Sequence, residues 1–162
     1  MVICGKNEIP ASLGWAEIDL SALTHNVRVI RQYLQPYTQL AAVVKKNAYG
    51  HGLLPVARTM VSAGVNYLGV YSLEEGLELR QANITIPILV FGFISPDAAK
   101  IVIRAHITPT VMEPKLAVSL NDAAVELDTI VKVHLKVDSG LNRSGLTLQE
   151  THNLLTLLLS LD

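Results

Sequence analysis

From residue 40 onward, short apolar, β-branched runs alternate with longer stretches of helical periodicity. That alternation restricts the chain to an α/β fold on a parallel sheet. The strand-like runs are residues 40–44, which deliver Lys45, then 67–71, 88–91, 108–112 and 129–137. Helical segments separate them. Ser21 opens a helix with Leu23, Val27, Ile30 and Leu34 on one stripe and Pro36 beyond its end, and residues 53–63 form the next, closing at Gly64. Ser72 with Glu75, and Thr147 with Glu150, are spaced as capping boxes. Ser95-Pro96 offers an N-cap followed by proline at the first helical position, and Pro114 starts a helix to about Leu127. Residues 17–20 read as an additional strand outside this series. No repeat, low-complexity tract or internal linker interrupts the order.

Composition narrows the class further. Half of the residues are hydrophobic and the formal net charge is −1, so no basic patch points to nucleic acid and no acidic block to a disordered tail. The single cysteine, Cys4, excludes an intramolecular disulfide, and without a cysteine cluster there is no structural zinc to propose. Residues 1–14 read as a tail and not as a signal peptide, because Lys6, Asn7 and Glu8 break their apolar stretch. The closing run 154–161 is too short to span a bilayer. The expectation is a cytoplasmic protein with no membrane or nucleic-acid partner and no metal.

Residues 41–52 read Ala-Ala-Val-Val-Lys-Lys-Asn-Ala-Tyr-Gly-His-Gly, a strand that carries lysines into a glycine-rich loop. Desolvation at the end of a buried strand favours a neutral amine, the form that acts as nucleophile and base. The lysines can also be read simply as a strand reaching solvent. Side chains alternate along a strand, so Val43 and Lys45 share one face, while Ala42, Val44 and Lys46 share the other. If the first face looks inward, Lys46 points to the surrounding helices or the outer rim. Tyr49 and His51 lie in the loop, and His51 reads as a loop hydrogen-bonder.

A second motif occupies residues 135–145, Leu-Lys-Val-Asp-Ser-Gly-Leu-Asn-Arg-Ser-Gly. Lys136 and Asp138 share a face, and the Gly140 turn brings Arg143 back over the strand end. Arginine suits the holding of a phenolate or carboxylate oxygen in fixed geometry. An Asp138–Arg143 pair capping the turn is the plainer alternative.

Together these segments resemble the alanine racemases, a family that uses pyridoxal 5'-phosphate on a (β/α)8 barrel. The resemblance also takes in residues 15–20 (Trp-Ala-Glu-Ile-Asp-Leu), Asn26 after them, and residues 87–92 (Pro-Ile-Leu-Val-Phe-Gly). It implies a partial (β/α)8 TIM-type barrel with about five parallel strands, in which Lys45 is the Schiff-base lysine and the catalytic base on one face of the substrate. It further implies that Tyr49 contacts the cofactor phosphate, and that Arg143 binds the cofactor's phenolic oxygen and the substrate carboxylate. Lys136 matches a position that is carbamylated in many of these enzymes. An unmodified Lys136 beside Arg143 would be repelled in a poorly hydrated site, which favours carbamylation or neutralisation by Asp138. The family carries one lysine followed by a small residue, so Lys46 is a departure.

A barrel of this class needs eight strands and five are present. Residues 15–162 are therefore expected to be the front portion of a longer enzyme. In the family, the remainder supplies the other strands, most phosphate-binding groups, and a C-terminal β domain with the opposite tyrosine base, used across a homodimer. The expected reaction is interconversion of L- and D-alanine, the supply of D-alanine for peptidoglycan, with little activity in this chain alone. A serine or broad-specificity racemase and a noncatalytic cofactor-homeostasis protein are the alternative readings.

Overall fold

In the computed structural model, residues 16–161 are described. The expectations placed on residues 1–14, including Cys4, and on Trp15 lie outside that range. Five strands, β1 (Ala41–Val43), β2 (Tyr67–Val70), β3 (Ile88–Val90), β4 (Ile107–Val111) and β5 (His134–Leu135), form one parallel sheet in sequence order. Helices Leu20–Tyr33, Leu53–Ser62, Leu73–Gln81, Ala99–Arg104, Pro114–Glu126 and Leu148–Leu158 connect and flank them. This is the strand order of successive β/α units in a partial (β/α)8 barrel.

The register places Ala42, Leu68, Ile88 and Ile107 side by side along one face of the sheet. Leu68, Ile88 and Ile107 are buried there, with Val44, Val70, Val90 and Val111 further along their strands. These side chains pack on the helices: a methyl group added to Gly76, in the Leu73–Gln81 helix, would meet Ile107 Cδ1 at 3.0 Å and Ile88 Cγ2 at 3.7 Å. The opposite face carries Val43, Gly69 and Leu89 in one row. Val43 is 41% exposed, and Tyr71 and Phe93, just beyond the strands, are also exposed. All five strands run the same way, so the turns after them gather along one edge, where sites of parallel α/β folds are built.

Two of the helix starts carry the capping boxes that the sequence contains. Ser72 Oγ accepts the Glu75 N–H, and Thr147 Oγ1 accepts that of Glu150, each glutamate returning to its cap residue. Two arginines tie elements together. Arg80 donates to the carbonyls of Ile84, Ile86, Ala105 and His106, and Arg31 to those of Thr38 and Gly64 and to the Asn66 side chain.

Several local expectations change. Residues 16–19 form no strand; Asp19 instead caps the Leu20–Tyr33 helix by accepting the Ser21 and Ala22 N–H groups at 2.8 and 3.1 Å. The Ser21 hydroxyl, donating to the same carboxylate at 2.6 Å, and then those two bonds hold its carboxyl below the ordinary 3.8. Ser95 precedes a 3₁₀ turn, Pro96–Ala98, with proline at its first position as expected, but makes no side-chain cap. The strand expected over 129–137 shrinks to His134–Leu135, continued by one bridge between Val137 and Leu146. Among the described residues no helix is long and apolar enough to cross a membrane.

Candidate active site

β1 ends at Val43, and the chain then enters a left-handed turn. Lys46, Asn47, Ala48 and Tyr49 have φ of 54°, 55°, 51° and 55° in succession. Left-handed backbone costs an L-residue roughly 1–2 kcal/mol. Four in a row must be held by their surroundings. Ala48 is buried, and its N–H donates to the Val44 carbonyl at 2.8 Å. Asn47 Oδ1 accepts the Leu53 N–H at 2.7 Å, and the Gly52 N–H returns to the Asn47 carbonyl at 3.0 Å. Gly50 takes φ 88° as the turn closes, and His51 Nδ1 lies 2.8 Å from the Ala48 carbonyl, in keeping with a loop hydrogen-bonding role. The carboxylate of Glu75 accepts the Lys46 N–H from across the gap to β2.

This turn changes where Lys46 goes. Strand alternation would send it to the helix side, but alternation ends with the strand. Lys45 Nζ stands 6.0 Å and Lys46 Nζ 5.1 Å from the centre of one ring, that of Tyr71. Both ammonium groups therefore lie near the same aromatic ring, at a distance where a ring attracts cations. Lys45 is half-buried and Lys46 exposed. The one ion pair among the described residues is Lys100–Glu126 at 2.7 Å, so neither lysine is neutralised by a carboxylate there. Tyr49, the last residue of the left-handed turn, is exposed.

Tyr71 itself is positioned by glycine. Its carbonyl accepts the Gly92 N–H at 2.9 Å, and a methyl group on Gly92 would lie 3.2 Å from the ring. One residue pair over, the Phe91 ring lies against Gly69, where a methyl group would approach it to 2.6 Å. Sequence reasoning missed Tyr71 and the second use of Glu75. The Tyr71–Gly92 register was their one signal, and it needs paired strands to be seen.

The second motif follows β5, at the other end of the sheet order but on the same edge as the lysine turn. Lys136 Nζ donates to Ser144 Oγ at 2.7 Å. Asp138 neither neutralises Lys136 nor pairs with Arg143: its carboxylate accepts the N–H groups of Gly140 and Asn142 at 2.9 and 3.1 Å. Those bonds, the Gly140 one first, hold the Asp138 carboxyl below its ordinary 3.8. The loop is closed at its base by Leu146 N–H to the Lys136 carbonyl, 2.8 Å, and Asp138 N–H to the Leu146 carbonyl, 2.9 Å. Arg143 is exposed on this loop.

The fold that carries this turn and loop is shared with known proteins. The chain is 47% identical over 136 residues to an alanine racemase of Desulfovibrio desulfuricans, covering 84% of this chain and 37% of that one. It superposes on the alanine racemase of Clostridium difficile with a TM-score of 0.80 at 38% identity, covering 88% of this chain and 39% of the other. A histidine racemase of Leuconostoc mesenteroides gives 0.79 at 29% identity, covering 88% and 38%. The chain thus spans less than half the length of these relatives. The family model described as "Alanine racemase, N-terminal domain" matches residues 18–162, and the chain belongs to that family.

Proposed function

We propose that residues 15–162 form the front, cofactor-binding portion of a cytoplasmic alanine racemase that uses pyridoxal 5'-phosphate and, as a whole enzyme, works as a homodimer on alanine. The observation that carries this reading is the pair of ammonium groups over the Tyr71 ring, with no carboxylate partner among the described residues, held by a left-handed turn at the strand-end edge. The donor set fits the cofactor: an amine for its aldehyde, the Tyr49 phenol for its phosphate and the Arg143 guanidinium for its phenolic oxygen. When bound, the cofactor supplies an electron sink that makes a substrate's α-proton acidic. The chain's own residues do the rest. Lys45 is the amine that attaches the aldehyde and, once released, moves a proton at the substrate α-carbon on one face. Arg143 holds the substrate carboxylate in fixed geometry. The Lys136–Ser144 bond steadies the loop that carries Arg143; carbamylated Lys136 would add a negative charge to orient it.

Racemisation needs a second base on the opposite face, so the 162-residue chain alone is expected to show little or no turnover. The test of the assignment is addition of the cofactor to the pure chain. A visible lysine–aldehyde absorption that is lost in Lys45→Ala and kept in Lys46→Ala supports it; loss only in Lys46→Ala overturns the choice of lysine. A racemase for another amino acid is the second reading, favoured by the similarity to the histidine racemase. Activity of the longer enzyme on alanine against other amino acids separates the two.

A further inference from the structure

Glu75 does more than cap its own helix. It is the third residue of the Leu73–Gln81 helix, and Oε2 accepts the Tyr71 and Ser72 N–H groups at 2.9 and 3.2 Å. Oε1 reaches out of that helix to the Lys46 N–H. One carboxylate therefore ties the end of β1 to the end of β2. The residue it grips on the β1 side is the first at which the backbone passes to positive φ. The residue it grips on the β2 side carries the ring that both lysines face.

This connection decides how two adjacent lysines are displayed. If Lys46 relaxed to extended backbone, the side chains of Lys45 and Lys46 would alternate and point apart. Held left-handed, both lie over Tyr71, with Lys45 half-buried and Lys46 exposed. Glu75 is spent on three N–H groups and on neither ammonium, so it sets the position of the amines without neutralising them. A glutamine offers one acceptor oxygen and turns an amide N–H toward a backbone N–H. An aspartate is a methylene too short to reach both strand ends.

We propose that Glu75 is a positioning residue that fixes the two-lysine turn and directs aldehyde attachment to Lys45 in preference to Lys46. The proposal rests on the reading of this turn as the aldehyde-binding site. Its test uses the 162-residue chain and three variants, Glu75→Gln, Glu75→Asp and Ser72→Ala. The last weakens the same helix cap but leaves the Lys46 anchor in place. Pyridoxal 5'-phosphate is added, the adduct is fixed with borohydride, and peptide mapping gives its division between Lys45 and Lys46; amide exchange of the segment 46–52 is measured without cofactor.

Wild type and Ser72→Ala are expected to carry the adduct on Lys45. Both Glu75 variants are expected to divide it between the lysines and to exchange the segment at least about tenfold faster, the loss of a hydrogen bond to a charged acceptor. General destabilisation would move Ser72→Ala in step with them, which overturns the proposal. Unchanged division and exchange in both Glu75 variants also overturns it. If wild type forms no adduct, the functional reading fails on its own, and unchanged exchange in the Glu75 variants still refutes the anchor while faster exchange upholds it.

Discussion

Gly92 and Tyr71 are locked together by a backbone hydrogen bond of 2.9 Å, and a Cβ on Gly92 would overlap the Tyr71 carbonyl oxygen and crowd its ring. The absence of a side chain at one strand end thus places the aromatic face that receives the lysines from another. The conformation of Gly92 is not what demands glycine, since its φ is not positive. The demand is space.

Gly92→Ala is therefore expected to behave as an overpacked site, costing about 1–3 kcal/mol. Because the clash is with backbone as well as ring, Tyr71 must move, and the two ammonium groups lose their shared ring. Urea unfolding should show the stability loss, and adduct formation with pyridoxal 5'-phosphate should weaken by more than in a variant of equal stability elsewhere. Unaltered cofactor binding at reduced stability would mean that Tyr71 is only a packing residue.

Arg80 offers a cleaner stability prediction. Its guanidinium, half-buried, donates to four carbonyls that no other described side chain reaches, joining the end of the Leu73–Gln81 helix to the loops before β3 and β4. Burial lowers its pKa from the usual guanidinium value, yet the group stays charged at any working pH. Arg80→Ala is expected to cost about 2–4 kcal/mol, and Arg80→Lys most of that, because an ammonium cannot reproduce the planar fork. Thermal or urea unfolding of the two variants checks both values.

Acid should loosen the loop that carries Arg143. The folded state holds the Asp138 carboxyl below its ordinary 3.8, through the N–H groups of Gly140 and Asn142. A depressed carboxylate contributes stability that is fully present above the unfolded value and lost as pH falls through the folded one. Amide exchange at Gly140 and Asn142, corrected for its intrinsic pH dependence, should therefore rise as pH drops below about 3.8. In Asp138→Asn that pH dependence should vanish, since the amide still accepts but does not titrate.

What the sequence made legible was whatever local chemistry alone decides. Ser72 with Glu75 and Thr147 with Glu150 needed only neighbours three residues away, and both capping boxes form. The five strands and their parallel order followed from the alternation of runs, as the register from Ala42 through Leu68, Ile88 and Ile107 bears out. The lysine turn was not legible. Lys46, Asn47, Ala48 and Tyr49 include no glycine, and their left-handed backbone is stabilised by Glu75, Leu53 and Val44, none of which local propensity can weigh. Residues 129–133 failed for the opposite reason. They have the composition of a strand, but pairing with β4 begins only at His134, opposite Thr110.

The 162-residue chain by itself should associate. β1 and β5 end the sheet order, each with one side that no described strand pairs, and exposed sheet edges are templates for further pairing. The sheet face opposite the helices adds apolar surface: Val43, Tyr71 and Phe93 are exposed along it, and Val137 and Leu141 in the loop after β5. Surface of this kind on an unpaired parallel sheet favours oligomers or aggregates over monomer. Light scattering across a concentration series should show mass rising with concentration. Because edge pairing and apolar contact both bury Val43, Val43→Lys should shift the distribution toward monomer. A compact monomer at every concentration would mean that the open face and edges are satisfied within the chain.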